Sequence, residues 1–243
     1  MSGRPEPVAC ARQLIASLFP DARQAWLAGS VALGQDTATS DLDVVVLLDE
    51  VEVHRESRRH DGWPVELFVH TPASVRHFVA QDLLRRQPTM ARMVATGAPL
   101  LPGHAGADLR AECAAALAAG PGPLTAVELD HDRYLLTDLL DDLAGGGSPG
   151  VVDAVAIAVW RATAELLLDS TGRWRGTSKW LVREVEAYDA ATGTSYAARL
   201  HDGLHAALAG HSGPLTALAD EVLDRVGGRL WAGFAARAEL PSA

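Results

Sequence analysis

The chain has 243 residues, 48% hydrophobic and 21% charged, a balance that suits a soluble globular protein with room for one large domain or two modest ones. A formal net charge of −10 argues against a non-specific nucleic-acid binder, whose affinity comes from neutralising phosphates with Lys and Arg. Only 5% of residues are aromatic while Ala and Leu dominate, which favours helix over all-β architecture. The longest apolar run, about Val151 to Val159, contains Asp153 and is too short to span a bilayer. The N-terminal MSGRPEPVACARQL lacks a basic segment followed by an apolar one, so no secretory signal is expected and the cytoplasm is the expected compartment. Cys10 and Cys113 lie far apart with no partner at metal-ligand spacing and are expected as buried small hydrophobes.

In chain order, Pro7 to Leu18 reads as a short helix and Gln24 to Gly29 as a strand that stops at a Gly-Ser turn. The polar loop QDTATS leads into DLDVVVLLDE, whose β-branched and aliphatic run suits a buried strand. HDGWPVELFVHTP supplies a turn at Asp61-Gly62 and a further strand ending at Thr71-Pro72. From Pro72 to Arg86 the apolar residues Val75, Phe78, Val79, Leu83 and Leu84 fall at helical spacing. A break near GAPLLPGHAGADL follows. Beyond it, helices are predicted from about Leu124 to Leu143, Val151 to Leu168, Ser178 to Tyr188, Ser195 to Leu208 and Pro214 to Arg237. The expected class is therefore α+β, with a small mixed sheet in a domain over residues 1–105 and a helical bundle over 106–243.

The chemistry concentrates at one place. Gly29-Ser30 is followed after ten residues by Asp41-Leu42-Asp43, at the start of the VVVLL strand. Residues i and i+2 of a strand point to the same face, so Asp41 and Asp43 project together. Two adjacent carboxylates are costly unless a cation sits between them, and an oxygen-seeking divalent ion, Mg²⁺ or Mn²⁺, resolves that cost. Glu66, in VELFVH, is a polar exception inside an apolar run and offers a third acid from the next predicted strand. Three such carboxylates can hold two cations that clamp the attacking and leaving oxygens of a phosphoryl displacement. Gly29 lets the backbone approach a phosphate closely, and the Ser30 hydroxyl can hydrogen-bond its oxygens.

The string GSVALGQDTATSDLDVVVL resembles the signature of the DNA polymerase β-type nucleotidyltransferase superfamily, with Glu66 in the place of the family's third acid. The resemblance spans about Ala25 to Thr71. Within the superfamily, the size and the helical second half resemble the antibiotic nucleotidyltransferases of the kanamycin type. It implies transfer of AMP from ATP, with Mg²⁺ or Mn²⁺, to a hydroxyl of a small and cationic molecule such as an aminoglycoside, with release of pyrophosphate. Many relatives carry a basic residue soon after Gly-Ser, whereas Val31, Ala32 and Leu33 are apolar here. Lys179, the only lysine, is the candidate for the missing positive charge, in the first turn of a helix that Ser178 could cap. Asp138, Asp141 and Asp142 share one face of a helix whose leucines lie opposite, and DLAG resembles the ending that carries the base in the kanamycin-type enzymes. That places the general base on Asp142. His70 lies just past the Glu66 strand and is not assigned to the site.

Two other readings stay open. Minimal nucleotidyltransferases also act as antitoxins that adenylylate a partner helical protein, and Arg199 and His205 fit the arginine–histidine spacing of RNA-cleaving partners of that kind. A non-catalytic nucleotide sensor is the third. No stable nucleic-acid or membrane partner is expected. The apolar stripe Val222, Val226, Leu230 and Phe234 is core or a dimer seam, leaving monomer and homodimer both open.

Overall fold

The Gly-Ser turn and the two acids after it sit on a five-stranded mixed sheet. A computed structural model of the chain describes residues 4–235. Its strands are β1 (Gln24–Ala28), β2 (Leu42–Leu47), β3 (His54–His60), β4 (Trp63–His70) and β5 (Ala98–Pro99). They run in the order β3-β4-β2-β1-β5, with β2 and β4 parallel and the other pairs antiparallel. The helices of this part are α1 (Pro7–Leu18), the single turn α2 (Gly29–Ala32), α3 (Pro72–Leu84), α4 (Thr89–Thr96) and α5 (Ala107–Ala119).

Strand alternation divides the apolar residues between two faces. On one face Ala25, Leu27, Leu42, Val44, Val46, Val65, Leu67 and Val69 meet Cys10, Ala11, Leu14 and Ile15 of α1. The Glu6 carboxylate caps α1 by accepting from the Val8 and Ala9 amides at 3.0 and 2.7 Å. On the other face Trp26, Ala28, Val45 and Leu47 pack with Val75 of α3, Met90, Ala91 and Val94 of α4, and Leu109 and Cys113 of α5. Thr71 and Ser74 form a reciprocal capping box that starts α3 where β4 ends. Both cysteines are buried and free, and burial pushes the Cys113 thiol up to about 11.

Four elements of this part were not expected from sequence. β3, HRESRRH, has no apolar alternation, because it is an edge strand exposed along most of its length. It forms because Asp61 and Gly62, with φ of 46° and 82°, make a two-residue hairpin turn that returns the chain onto β4. α4 and the two-residue β5 lie in what reads as a break. α5 is Ala-rich with weak amphipathic contrast, yet Leu109 and Cys113 anchor it in the core. The first structural unit accordingly runs on to Ala119, and the second begins at Gly120 rather than near residue 106.

The second unit consists of α6 (Ala126–Gly145), α7 (Pro149–Ser170), α8 (Lys179–Thr192), α9 (Tyr196–Leu208) and α10 (Gly213–Asp224). Its core gathers Leu136, Leu140, Leu143, Val159, Leu167, Leu181, Leu200, Leu215 and Val222, among others. Thr125 and Glu128 form a capping box at the start of α6, and Gly193 closes α8 in the left-handed conformation. α10 stops at Asp224, short of the expected Arg237. Gly227 and Gly228, with φ of 108° and 79°, turn the chain there, and residues 236–237 lie outside the described range. Val222 is buried in this unit's own core and Val226 packs against it, while Phe234 stacks on Tyr134 at 4.1 Å between ring centroids. Among the described residues, no helix is long and apolar enough to cross a membrane.

Candidate active site

Register brings the acids together. β2 and β4 pair in parallel with Asp43 beside Glu66, and β1 and β2 pair antiparallel with Ala28 beside Asp43. Asp41 stands just before β2, two residues from Asp43, and so faces the same way. Carboxylate oxygens of Asp41, Asp43 and Glu66 lie within 4.8 Å of one another, all three residues half-buried. Three carboxylates this close repel strongly. An all-oxygen, all-anionic donor set suits a hard divalent cation of the Mg²⁺ or Mn²⁺ type.

The residues around the acids fit that role. Gly29 follows β1 directly and has φ of +71°, and a Cβ built on it would run into Asp43 Oδ2. The glycine is therefore the condition for the Asp43 carboxylate to lie where it does. Ser30 is 5% exposed, and its hydroxyl lies 3.3 Å from Ser40 Oγ, the residue before Asp41. Ser40 Oγ in turn accepts from the Thr37 amide at 2.9 Å, while the Gln35 amide donates to the Ser30 carbonyl at 2.9 Å. The Gly-Ser turn thus ties down the loop that delivers Asp41.

Arg55 was missed by the sequence reading. Its Nη2 lies 2.5 Å from Glu66 Oε1, and its guanidinium sits over the Phe68 ring, 5.0 Å from the centroid. Ser57 Oγ lies 3.5 Å from the same Glu66 oxygen. A signal for Arg55 was available. An Asp-Gly hairpin turn pairs His60 with Trp63, and counting back from it sets Ser57 opposite Glu66.

The remaining candidates apart from His70 belong to other elements. His70 is at the far end of β4, four residues beyond Glu66 and so roughly 13 Å along the strand. It is 4% exposed and bonded through Nδ1 to Ser74 Oγ at 3.0 Å, and burial holds its pKa below the usual value. Asp142 and Lys179 belong to the second unit. Asp142 is exposed near the end of α6, where Leu136, Leu140 and Leu143 are buried as the helical pattern requires. On the same acidic stripe Asp141 pairs with Arg229 at 3.2 Å. Lys179 is exposed in the first turn of α8, but Ser178 makes no side-chain cap and holds a φ of 52°. Arg175 lies on the loop between α7 and α8. It is tied to Asp169 and, at 3.0 Å, to Asp132, whose carboxyl burial pushes up while Arg175 pulls it back. Arg199 is likewise held by Glu221, at 3.0 Å through Nη1 and again through Nη2.

A second group, Cys10, His60 and Asp61, has ligand atoms equally close. Burial and the neighbouring acids Asp61 and Glu6 raise the Cys10 pKa.

Residues 11–85 match the family described as nucleotidyltransferase domain, a span that takes in the Gly-Ser turn, all three acids and Arg55. No curated protein matches the chain. Among solved structures, the chain is similar to a nucleotidyltransferase-like protein from Exiguobacterium sibiricum 255-15 at 13% identity and a TM-score of 0.37. That alignment covers 90% of this chain and 80% of the other, a likeness too slight to carry an argument. The match to a nucleotidyltransferase domain thus falls within the first unit, where the register of β1, β2 and β4 gathers the three acids.

Proposed function

We propose that the protein transfers AMP from ATP to a hydroxyl of a small, cationic molecule of the aminoglycoside kind, in the cytoplasm, with release of pyrophosphate. The observation that carries this reading is the convergence of Asp41, Asp43 and Glu66 on one end of the sheet, inside the nucleotidyltransferase match. In that reading the acids hold Mg²⁺ or Mn²⁺, which when bound neutralises charge on the triphosphate and the leaving pyrophosphate. The acceptor oxygen attacks the α-phosphorus and forms a new P–O bond. The bond from that phosphorus to the α–β bridging oxygen breaks in line, and pyrophosphate departs. The acceptor proton passes to a carboxylate base, for which Asp142 is proposed because it is exposed and lies on an acidic helix face. Lys179 is proposed to attract the triphosphate. An acidic chain with an exposed acidic stripe favours a cationic acceptor.

Mass spectrometry of the purified protein with ATP, Mg²⁺ and a panel of aminoglycosides and lincosamides tests this directly. The expected product is one acceptor heavier by one AMP, absent with Asp41→Asn and slowed with Asp142→Asn at unchanged ATP binding. AMP found instead on a co-purified protein would replace this reading with that of a protein-modifying antitoxin. Metal-dependent ATP binding with no transfer to any acceptor would leave a nucleotide sensor.

A further inference from the structure

A triphosphate bound over three carboxylates favours positive charge nearby, and here the residues after Gly-Ser are apolar. The edge strand β3 carries the candidates. Its register sets Arg55 opposite Phe68, Ser57 opposite Glu66 and Arg59 opposite Pro64, so all three share the face that bears Glu66 and Asp43. Arg58 and Glu56 fall on the opposite face and are bonded to each other at 2.9 and 3.0 Å. Burial separates the partners of the Arg55–Glu66 pair: the Arg55 side chain is 62% exposed, Glu66 only 18%. The guanidinium can therefore swing away while the carboxylate stays in place. Arg59 lies four residues from Arg55 on the same edge, with Ser57 between them, roughly 13 Å apart along the strand. Guanidinium groups spaced along an exposed edge can engage successive phosphate oxygens.

We infer that Arg55 is a positioning residue with two partners: it neutralises Glu66 in the metal-free protein and is handed to the triphosphate when divalent cation binds, with Arg59 extending the phosphate-binding edge. The inference rests on the nucleotidyl-transfer reading of the three acids. It has an unusual signature, because Arg55 competes with a cation for Glu66 but assists the nucleotide. Removing it should strengthen one binding event and weaken the other. A charge that merely protects an edge strand from association would move neither.

The test uses the full chain and two probes, Mn²⁺ alone, followed by electron paramagnetic resonance, and a non-hydrolysable ATP analogue in the presence of Mn²⁺. Arg55→Gln should bind Mn²⁺ about two- to fivefold more tightly than wild type, the scale of an exposed ion pair. The same variant should bind the analogue about tenfold more weakly, as loss of a charge-assisted hydrogen bond implies. Arg55→Lys should fall between the two, and Arg58→Gln, on the other face, should match wild type in both. Unchanged affinities in Arg55→Gln would overturn the inference and leave the three-acid site standing. Failure of the wild-type protein itself to bind Mn²⁺, with Asp43→Asn indistinguishable from it, would overturn the three-acid reading and this inference together.

Discussion

Asp43 shows how much a single side chain can depend on its neighbours. It lies beside Glu66 on one side and beside the end of β1 on the other, with a glycine where any other residue would press on its carboxylate. Asp43→Asn keeps the shape and removes the charge, so far-ultraviolet circular dichroism should be unchanged while nucleotidyl transfer falls at least about a hundredfold. Glu66→Gln should be nearly as damaging. Activity above a few per cent of wild type in Asp43→Asn would remove these carboxylates from the metal role. Gly29→Ala works through the same atom from the other side. It adds a methyl group against Asp43 Oδ2 and forces a non-glycine residue to φ of +71°, a strain of about 1–3 kcal/mol. A lowered melting temperature together with weaker Mn²⁺ binding is expected, and a variant with wild-type values for both would show that the turn tolerates a side chain.

At the scale of elements, β3 is where the polar composition and the fold meet. A strand that is charged on both faces cannot be recognised by alternation, and its place is set by the turn that precedes β4 and by backbone pairing with it. The Asp61-Gly62 turn was legible, and it implies a strand on each side, yet only β4 has the apolar pattern that announces one. In the second unit the α9–α10 pair is fastened by a polar device of a different kind. Glu221 on α10 accepts from Arg199 and, at 2.7 Å, from the Tyr196 hydroxyl, and Arg225 Nη1 donates to that hydroxyl at 3.0 Å. These bonds, Arg199 first and Tyr196 second, hold the Glu221 carboxyl down at about 2 against an ordinary 4.5. A carboxylate with a depressed pKa in the folded state contributes stability above its unfolded pKa and loses it as pH falls through the folded one. Glu221→Gln should therefore be less stable than wild type above about pH 4.5, with the gap closing toward pH 2. Because the side chain is 43% exposed, solvent screening keeps the effect small. Urea titrations at pH 7 and pH 3 measure it, and a gap that widened in acid would contradict the assignment.

Across the whole molecule, the two units rest on separate cores, one sandwiching the sheet between α1 and the α3–α5 group and the other gathering α6 to α10. The functional match lies wholly in the first. The second supplies the exposed acidic face of α6 and the exposed Lys179 that the proposed function draws on. On α9, Arg199 is held by Glu221, and the His201 and His205 ring centroids lie 4.4 Å apart on one helical face.

The sequence by itself determined the class of chemistry, because a Gly-Ser turn, an Asp-x-Asp strand start and a later strand acid are local features whose spacing survives any detail of packing. It also determined most helices, whose apolar periodicity is local in the same way, and the end of α1 and of β4 fall where composition changes. Tertiary structure decided what needs a partner across the sheet. The placement of Glu66 next to Asp43, the existence of β3, the hold of Arg55 on Glu66 and the membership of α5 in the first unit all depend on pairing or packing between residues distant in the chain. Periodicity reports which face of an element is buried, but it says nothing about which neighbour buries it, and the site is made of neighbours.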